Sequence, residues 1–90
     1  MERNEVSIHE CRVFLVLKNS TKWMTNKEIA AEANVANRTA SFKTKKFVDL
    51  GICDIAEVYP GHRYRLSQKA DKRNTAYMKR LEEAVVIFGL

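Results

Sequence analysis

The chain has 90 residues, enough for one domain with a modest hydrophobic core. Hydrophobic residues make up 46% of it, and with one proline and three glycines the composition excludes a long disordered linker. Sixteen Lys and Arg against eleven Asp and Glu give a net charge of +5, which favours a polyanionic partner.

The sequence shows no sign of export or membrane insertion. No apolar stretch approaches the roughly 20 residues that cross a bilayer, and no charged segment followed by an apolar one resembles a leader. We therefore expect a cytoplasmic protein, associated with the nucleoid if its partner is nucleic acid. The polar segment from Met1 to Val6 is expected to fray.

The first predicted helix runs from Ile8 to about Asn19. Ser7 and Glu10 have the spacing of a capping box, in which each side chain pairs with a backbone N–H of the first turn. Its apolar residues cover more than one stripe, so the helix should be buried on two sides. They are Ile8, Cys11, Val13, Phe14, Leu15, Val16 and Leu17.

The two cysteines match no metal-binding spacing. Cys11 lies on the apolar face of the first helix and Cys53 on a predicted strand, where buried free thiols are favoured over a disulfide or a sensor thiol. A zinc site would need both cysteines to converge with His9 and His62, and no short-range ligand pair would nucleate it. We therefore predict no metal and no cofactor.

A short strand is predicted at Lys22-Trp23-Met24, after a polar connection. Trp23 is expected to pack in the core. The alternative, stacking on a base, is disfavoured because double-stranded DNA exposes no free base face.

The stretch from Thr25 to Gly51 predicts two helices joined by a tight corner. Thr25 and Glu28 form a second capping box, so a helix begins at Asn26 and buries a stripe of one isoleucine and two alanines, namely Ile29, Ala30 and Ala33. It ends at Asn34, since asparagine tolerates the left-handed conformation that a sharp corner requires. Val35 gives the corner an apolar contact.

The second helix of this pair is predicted to be basic on its outer side. Asn37 is a suitable cap, and Ala40, Thr44 and Phe47 share one face at helical spacing. The residues predicted to face outward are Arg38, Thr39, Ser41, Phe42, Lys43, Lys45 and Lys46. They include four cations and no acid.

The pattern of Ile29, Ala30, Ala33, a corner at Val35 and then Ala40 resembles the helix-turn-helix of bacterial and phage regulators. Asn34 stands where that family often has glycine, and both residues accept the conformation.

A β-hairpin is predicted after this motif. Gly51 stops the helix, the segment ICDIAEVY has the composition of a strand, and Pro60-Gly61 is a turn signal. From His62 to Leu66 the residues alternate, with Tyr64 and Leu66 on one face and Arg63 and Arg65 on the other.

A hairpin directly after a helix-turn-helix resembles the wing of winged helix-turn-helix DNA-binding proteins, a class with small bacterial, phage and archaeal-virus regulators. The resemblance implies an α+β, mostly α fold. A winged helix-turn-helix domain over residues 1–67 would have the order helix, strand, helix, helix, strand, strand, and its three strands would form one sheet. An additional C-terminal helix would cover residues 68–90. It implies sequence-specific binding of double-stranded DNA, with the helix from Asn37 to Leu50 in the major groove and the hairpin around Gly61 on the backbone. The candidate DNA-binding residues are Thr25, Asn37, Arg38, Thr39, Ser41, Phe42, Lys43, Lys45, Lys46, His62, Arg63 and Arg65.

The C-terminal helix, predicted from about Gln68, ends in the apolar run Ala84-Val85-Val86-Ile87-Phe88, which a surface helix of a monomer cannot bury on all sides. We expect a homodimer, because two-fold pairing is the commonest assembly. The expected interface residues recur at helical spacing: Tyr77, Leu81, Ala84, Val85 and Phe88. The alternative is a helix folded back on its own core.

No enzyme signature is present, since the sequence has neither a glycine-rich phosphate loop nor a His-Glu pair at metal spacing. We predict a transcription regulator and no catalysis. Two alternatives stay open: a winged-helix module that binds an acidic protein, and a replication or excision accessory protein of a mobile element. The mixture of cations and short hydrogen-bonding side chains on the basic helix favours base edges and phosphates over a protein.

Overall fold

The computed structural model describes residues 6–58, 61–67 and 72–90, and in the last range it describes side chains from Ala76 onward. Its elements are α1 (Ile8–Lys18), α2 (Asn26–Ala33), α3 (Asn37–Asp49), β1 (Cys53–Val58), β2 (Gly61–Leu66) and α4 (Lys72–Phe88). The predicted N-terminal fraying before Val6, the proline of the predicted turn at Pro60 and the predicted helix start at Gln68 lie outside the described residues. None of the described helices has the length and apolar character needed to cross a membrane.

One hydrophobic core joins the helices and the hairpin. Fully buried side chains come from each helix, including Phe14 of α1, Ile29 of α2, Phe47 of α3 and Leu81 of α4, and Tyr64 of β2 completes the cluster. The predicted stripes of the two central helices are confirmed, because Ile29, Ala30, Ala33, Ala40, Thr44 and Phe47 are all buried. This core fixes how α3 is presented to solvent.

The predicted capping box of α1 forms only in half. The Glu10 N–H donates to the Ser7 hydroxyl oxygen at 3.1 Å, but the Glu10 carboxylate turns toward α3. The reason lies in the helical period: Glu10 precedes Val13, Phe14 and Leu17 by three, four and seven residues, so it shares their buried face. The helix ends at Lys18, one residue before the predicted end.

The corner between α2 and α3 confirms the local predictions. The Glu28 N–H donates to the Thr25 hydroxyl oxygen at 3.2 Å, and the Thr25 N–H donates to the Glu28 carboxylate at 3.0 Å, so both halves of this capping box form. Asn34 adopts the left-handed conformation, with φ 59° and ψ 48°. The Val35 N–H then donates to the Ala30 carbonyl at 3.0 Å, which closes the corner.

The two ends of α3 differ in how well the sequence predicts them. Asn37, predicted as the cap, is the first helical residue, and Ala36 occupies the cap position without a side-chain hydrogen bond. At the other end Gly51 stops the helix as predicted, with φ 77°. The Ile52 N–H donates to the Phe47 carbonyl at 2.8 Å, which is the Schellman arrangement.

The sheet has two strands among the described residues, not the three predicted. β1 and β2 pair antiparallel from Cys53 opposite Leu66 to Val58 opposite Gly61. The predicted strand around Trp23 contributes a single antiparallel bridge, in which the Met24 and Tyr64 backbones exchange hydrogen bonds of 2.9 and 2.7 Å. The segment is too short to continue the ladder before the cap of α2 begins.

The last helix packs against the first, and this contact buries part of its apolar face. Such packing was the predicted alternative to a dimer. Leu81, predicted in a dimer interface, has no exposed surface in the monomer, so this packing leaves it no surface for a partner. Tyr77 and Val85 are half-buried against the same core, and Ala84 is half-buried as well. A surface ion pair of 3.9 Å between Lys18 and Glu82 spans the two helices. Of the expected interface residues, Phe88 stays exposed.

Candidate nucleic-acid interface

A single row of side chains on α3 faces solvent opposite the core. Arg38, Ser41, Phe42 and Lys45 are all exposed and follow one another at helical spacing; we call them the outer row. Asn37 is exposed at the start of the helix, and Thr39 beside the row is half-buried. The outer row therefore contains a guanidinium, a hydroxyl, an aromatic ring and an ammonium group within two helical turns.

A buried hydrogen bond anchors α3 to the start of α2. The Thr44 hydroxyl, which has no exposed surface, donates to the Asn26 side-chain oxygen at 2.7 Å and also lies 3.1 Å from the Ser41 carbonyl. Because this bond joins the two helices of the corner, it helps to fix the direction in which the outer row points.

Two of the four cations predicted to face outward are turned toward α1. The Lys46 ammonium lies 3.0 Å and the Lys43 ammonium 3.7 Å from the carboxylate of Glu10, which is only 2% exposed. The Lys46 ammonium also lies 5.1 Å from the centre of the Tyr77 ring on α4. All four cations of the helix were predicted to face solvent. A buried carboxylate requires a cationic partner, however, and Lys43 and Lys46 provide it for Glu10.

Lys45 belongs to the solvent side. Its ammonium lies 3.8 Å from the Asp49 carboxylate one turn later, and both side chains are largely exposed. A pair of this kind contributes little and is readily exchanged for another anion. Lys45 and Arg38 are therefore the cations of α3 most available to an external partner.

The two arginines predicted to face outward on the hairpin differ in their exposure to solvent. Arg63 and His62 are exposed on β2, but Arg65 is half-buried, with its guanidinium 4.3 Å from the centre of the Trp23 ring. Trp23, expected in the core, is half-buried beneath it. Arg65 was predicted to face outward; the aromatic face next to it explains why it lies flat on the protein.

Arg63 lies close enough to the start of α2 to affect Glu28. The pKa of the Glu28 carboxyl is lowered, first by the hydrogen bond from the Thr25 backbone and to a smaller extent by the charges of Arg63 and Lys22. The Thr25 side chain is engaged in this cap, since its hydroxyl oxygen accepts from the Glu28 N–H and its side-chain hydrogen bond also lowers the pKa of the Glu28 carboxyl. Arg63 and Lys22 therefore lie near the Glu28 carboxylate, so the exposed part of the hairpin and the start of α2 meet at one charged edge.

Sequence reasoning missed Glu10 as the residue that organises the inner side of α3. A signal was present, because a carboxylate on the same helical face as Cys11, Phe14 and Leu17 requires a cationic partner once the face is buried. Pairing it with the two inner lysines of α3 would have reduced the predicted outer charge to Arg38 and Lys45.

The architecture described above is a winged helix-turn-helix. No protein-family model matches the chain, and no curated protein matches it. Among solved structures it is similar to the ST1889 protein of the thermoacidophilic archaeon Sulfolobus tokodaii, with 16% identity over 97% of this chain and 87% of that one and a TM-score of 0.67.

A second similar structure is the MarR family transcription regulator SP03579, with 18% identity and a TM-score of 0.61. The match covers 94% of this chain and 55% of the regulator, so the chain spans about half of that protein's length. At these identities the likeness shows the shared fold, in which α2 and α3 are the helix-turn-helix and β1 and β2 the wing.

Proposed function

We propose that this protein is a transcription regulator that binds double-stranded DNA with α3 in the major groove. The observation that carries the proposal is the outer row: Arg38, Ser41 and Lys45 surround Phe42 on the second helix of a helix-turn-helix and take no part in the core. The fold shared with a MarR family transcription regulator supports the same conclusion. The net charge of +5 is consistent with a polyanionic partner.

Each polar residue of the outer row has a role that fits its chemistry. Arg38, near the start of the helix, carries the planar donor pair that matches the O6 and N7 acceptors of guanine. Ser41 donates to or accepts from a base edge, and Lys45, further along the helix, contacts phosphate as a point charge. Asn37 and Thr39 flank these contacts.

The wing supplies backbone contacts. Arg63 and His62 are exposed on β2 and take the phosphate contacts on this side of the duplex. Arg65 acts indirectly, because its position over Trp23 fixes the hairpin against the bridge at Met24. Thr25 lies at the same edge, where its cap with Glu28 fixes the start of α2 beside the wing.

The end of α4 provides a surface for a second copy of the chain. Val86 and Ile87 are 78% and 80% exposed, and Phe88 and Leu90 are 41% and 45% exposed. A shallow groove between α1 and α4, lined by Phe14, Leu15, Lys18, Glu82, Val85 and Val86, extends this apolar surface. A homodimer formed here buries the exposed run and carries two α3 helices for a site with two-fold symmetry.

The DNA-binding proposal is tested by selecting preferred sites from random duplexes and then titrating salt. The logarithm of the affinity should fall linearly with the logarithm of salt concentration, by about 0.9 for each phosphate contacted. Arg38→Ala and Lys45→Ala should both weaken binding, whereas Lys79→Ala, which removes an exposed cation from α4, serves as the matched control. A flat salt response, or equal effects of all three substitutions, would reject the proposal in favour of a protein-interaction module.

A further inference from the structure

An aromatic side chain stands in the middle of the outer row. In α3, whose residues are all described, Phe42 is the one exposed large apolar side chain, with 60% of its surface in water. A lone exposed apolar residue is ordinary on a protein surface, but the neighbours of Phe42 at helical spacing are Arg38 and Lys45, and Ser41 directly precedes it. A partner that contacts the polar residues around Phe42 would therefore contact its ring as well.

Phe42 is paired with Arg38 one turn earlier. The Arg38 guanidinium lies 5.8 Å from the centre of the Phe42 ring, within the range of a cation–π contact. The pair places a planar set of hydrogen-bond donors beside an apolar ring on the same helical face. Side chains four residues apart on a helix are separated by about 6 Å, a spacing that two long side chains can match to neighbouring base pairs, which are about 3.4 Å apart.

We propose that Phe42 reads the C5-methyl group of a thymine, at a base pair next to a guanine that Arg38 contacts. This inference rests on the proposed binding of α3 in the major groove. Thymine presents the one methyl group on the major-groove edge of unmodified DNA, and apolar contact with it is how an aromatic side chain distinguishes thymine there. The guanine edge, with two acceptors, fits the donors of Arg38.

The first experiment replaces each thymine of a selected duplex, one at a time, by deoxyuridine. This removes the methyl group and keeps the hydrogen-bonding edge, and binding is measured by fluorescence anisotropy. In the wild-type protein one replacement in each site should lower affinity by about fourfold, the effect of withdrawing one methyl group from apolar contact. In Phe42→Ala the same replacement should have no effect, while Phe42→Leu should retain part of it.

The second experiment replaces the guanine beside that thymine by 7-deazaguanine, which lacks the N7 acceptor. Wild-type affinity should fall by about tenfold, and Arg38→Ala should be insensitive to the replacement. Ser41→Ala should keep the penalties of both replaced bases, because it leaves the Arg38 and Phe42 pair intact. Thermal unfolding of each variant checks that these exposed substitutions leave the fold unchanged.

The outcomes separate this inference from the proposed function. If the wild-type protein selects a duplex and binds it with a steep salt dependence, but no deoxyuridine is penalised or the penalty persists in Phe42→Ala, the reading by Phe42 is wrong and the DNA-binding function stands. A guanine that matters equally to wild type and Arg38→Ala overturns the paired arrangement. Failure to bind any duplex overturns both, and Phe42 is then an anchor for a protein partner.

Discussion

Glu10 ties the first helix to the inner side of α3. Its carboxylate, 2% exposed, has two lysine partners that are themselves partly exposed, with 25% and 45% of the Lys43 and Lys46 side chains in solvent. Removing the carboxylate therefore leaves two cations that can reach water, whereas removing both lysines would leave a buried charge without its partners. The carboxylate is the more tolerable of the two losses.

We expect Glu10→Gln to destabilise the protein by about 1–3 kcal/mol, less than the loss of a fully buried ion pair. The matched control is Glu82→Gln, which removes the surface pair with Lys18 and should cost less than about 1 kcal/mol. Urea denaturation of both variants measures the difference. Equal stabilities would mean that the Glu10 contacts with α3 contribute no more than a surface pair.

The two cysteines are free and buried, as predicted, and should be unreactive in the folded protein. Burial, with a smaller effect of Asp54, raises the pKa of the Cys53 thiol to about 12, and burial raises the pKa of Cys11 too. A raised thiol pKa favours the folded state below the unfolded value of 9.0, and that contribution is lost as pH rises toward about 12. Iodoacetamide at pH 8 should label both thiols in denaturant and neither in the native state, as mass spectrometry would report. Rapid native labelling would contradict the burial.

At the scale of elements, the corner between α2 and α3 sets the direction of the outer row. Ala33 is 5% exposed and Ala40 is fully buried, so the two helices approach closely through small side chains. Asn34 provides the turn and Thr44 the hydrogen bond to Asn26. A substitution at this corner should therefore change the orientation of α3 even where it leaves the domain folded.

We expect Ala33→Leu to overpack the corner, with a stability loss of about 1–3 kcal/mol, and to reduce DNA affinity by more than that loss explains. The control is Ala31→Leu, which adds the same side chain at an exposed position of α2 and should be nearly neutral in both respects. Denaturation and anisotropy on the same preparations separate the two effects. Normal DNA binding by Ala33→Leu would show that the corner does not determine the orientation of α3.

Local signals predicted the helices of this motif well, because caps, a left-handed asparagine and helical spacing act within a few residues of each other. The strand around Trp23 was overestimated, since its pairing depends on a distant partner and only Met24 meets Tyr64. The contacts of Lys43 and Lys46 with Glu10 were not predicted, because that carboxylate lies on another helix. Contacts between segments that are distant in the sequence were therefore predicted less well than local structure.

At the scale of the whole molecule, the end of α4 determines the expected assembly. Leu81 is buried in the core, and Tyr77 and Val85 are half-buried against it. The exposed apolar residues that the end of α4 offers to a partner are therefore Val86, Ile87, Phe88 and Leu90. The helix ends at Phe88 and is followed by Gly89, with φ 73°; the Leu90 N–H donates to the Val85 carbonyl at 3.0 Å, which keeps Leu90 beside this surface.

We expect light scattering at micromolar concentration to give twice the 10.4 kDa mass of one chain. Combining Val86→Asp with Ile87→Asp should yield monomers with unchanged helix content and much weaker DNA binding, because two linked half-sites are lost. Ala76→Asp, at an exposed position earlier in the same helix, is the control and should remain dimeric. A wild-type mass of one chain would reject the dimer.

The separation between the two sides of α3 has a consequence for how such a protein can diverge. Its inner residues, such as Lys46 and Thr44, are held by partners on other helices, so exchanging them disturbs the fold. In the described part of the chain, the side-chain contacts of the outer row are the Arg38–Phe42 pair and the Lys45–Asp49 ion pair, and both lie at the surface. Mutations there can accumulate at little thermodynamic cost. With α3 bound in the major groove as proposed, one scaffold would acquire new operator preferences through successive substitutions at Arg38, Ser41 and Phe42.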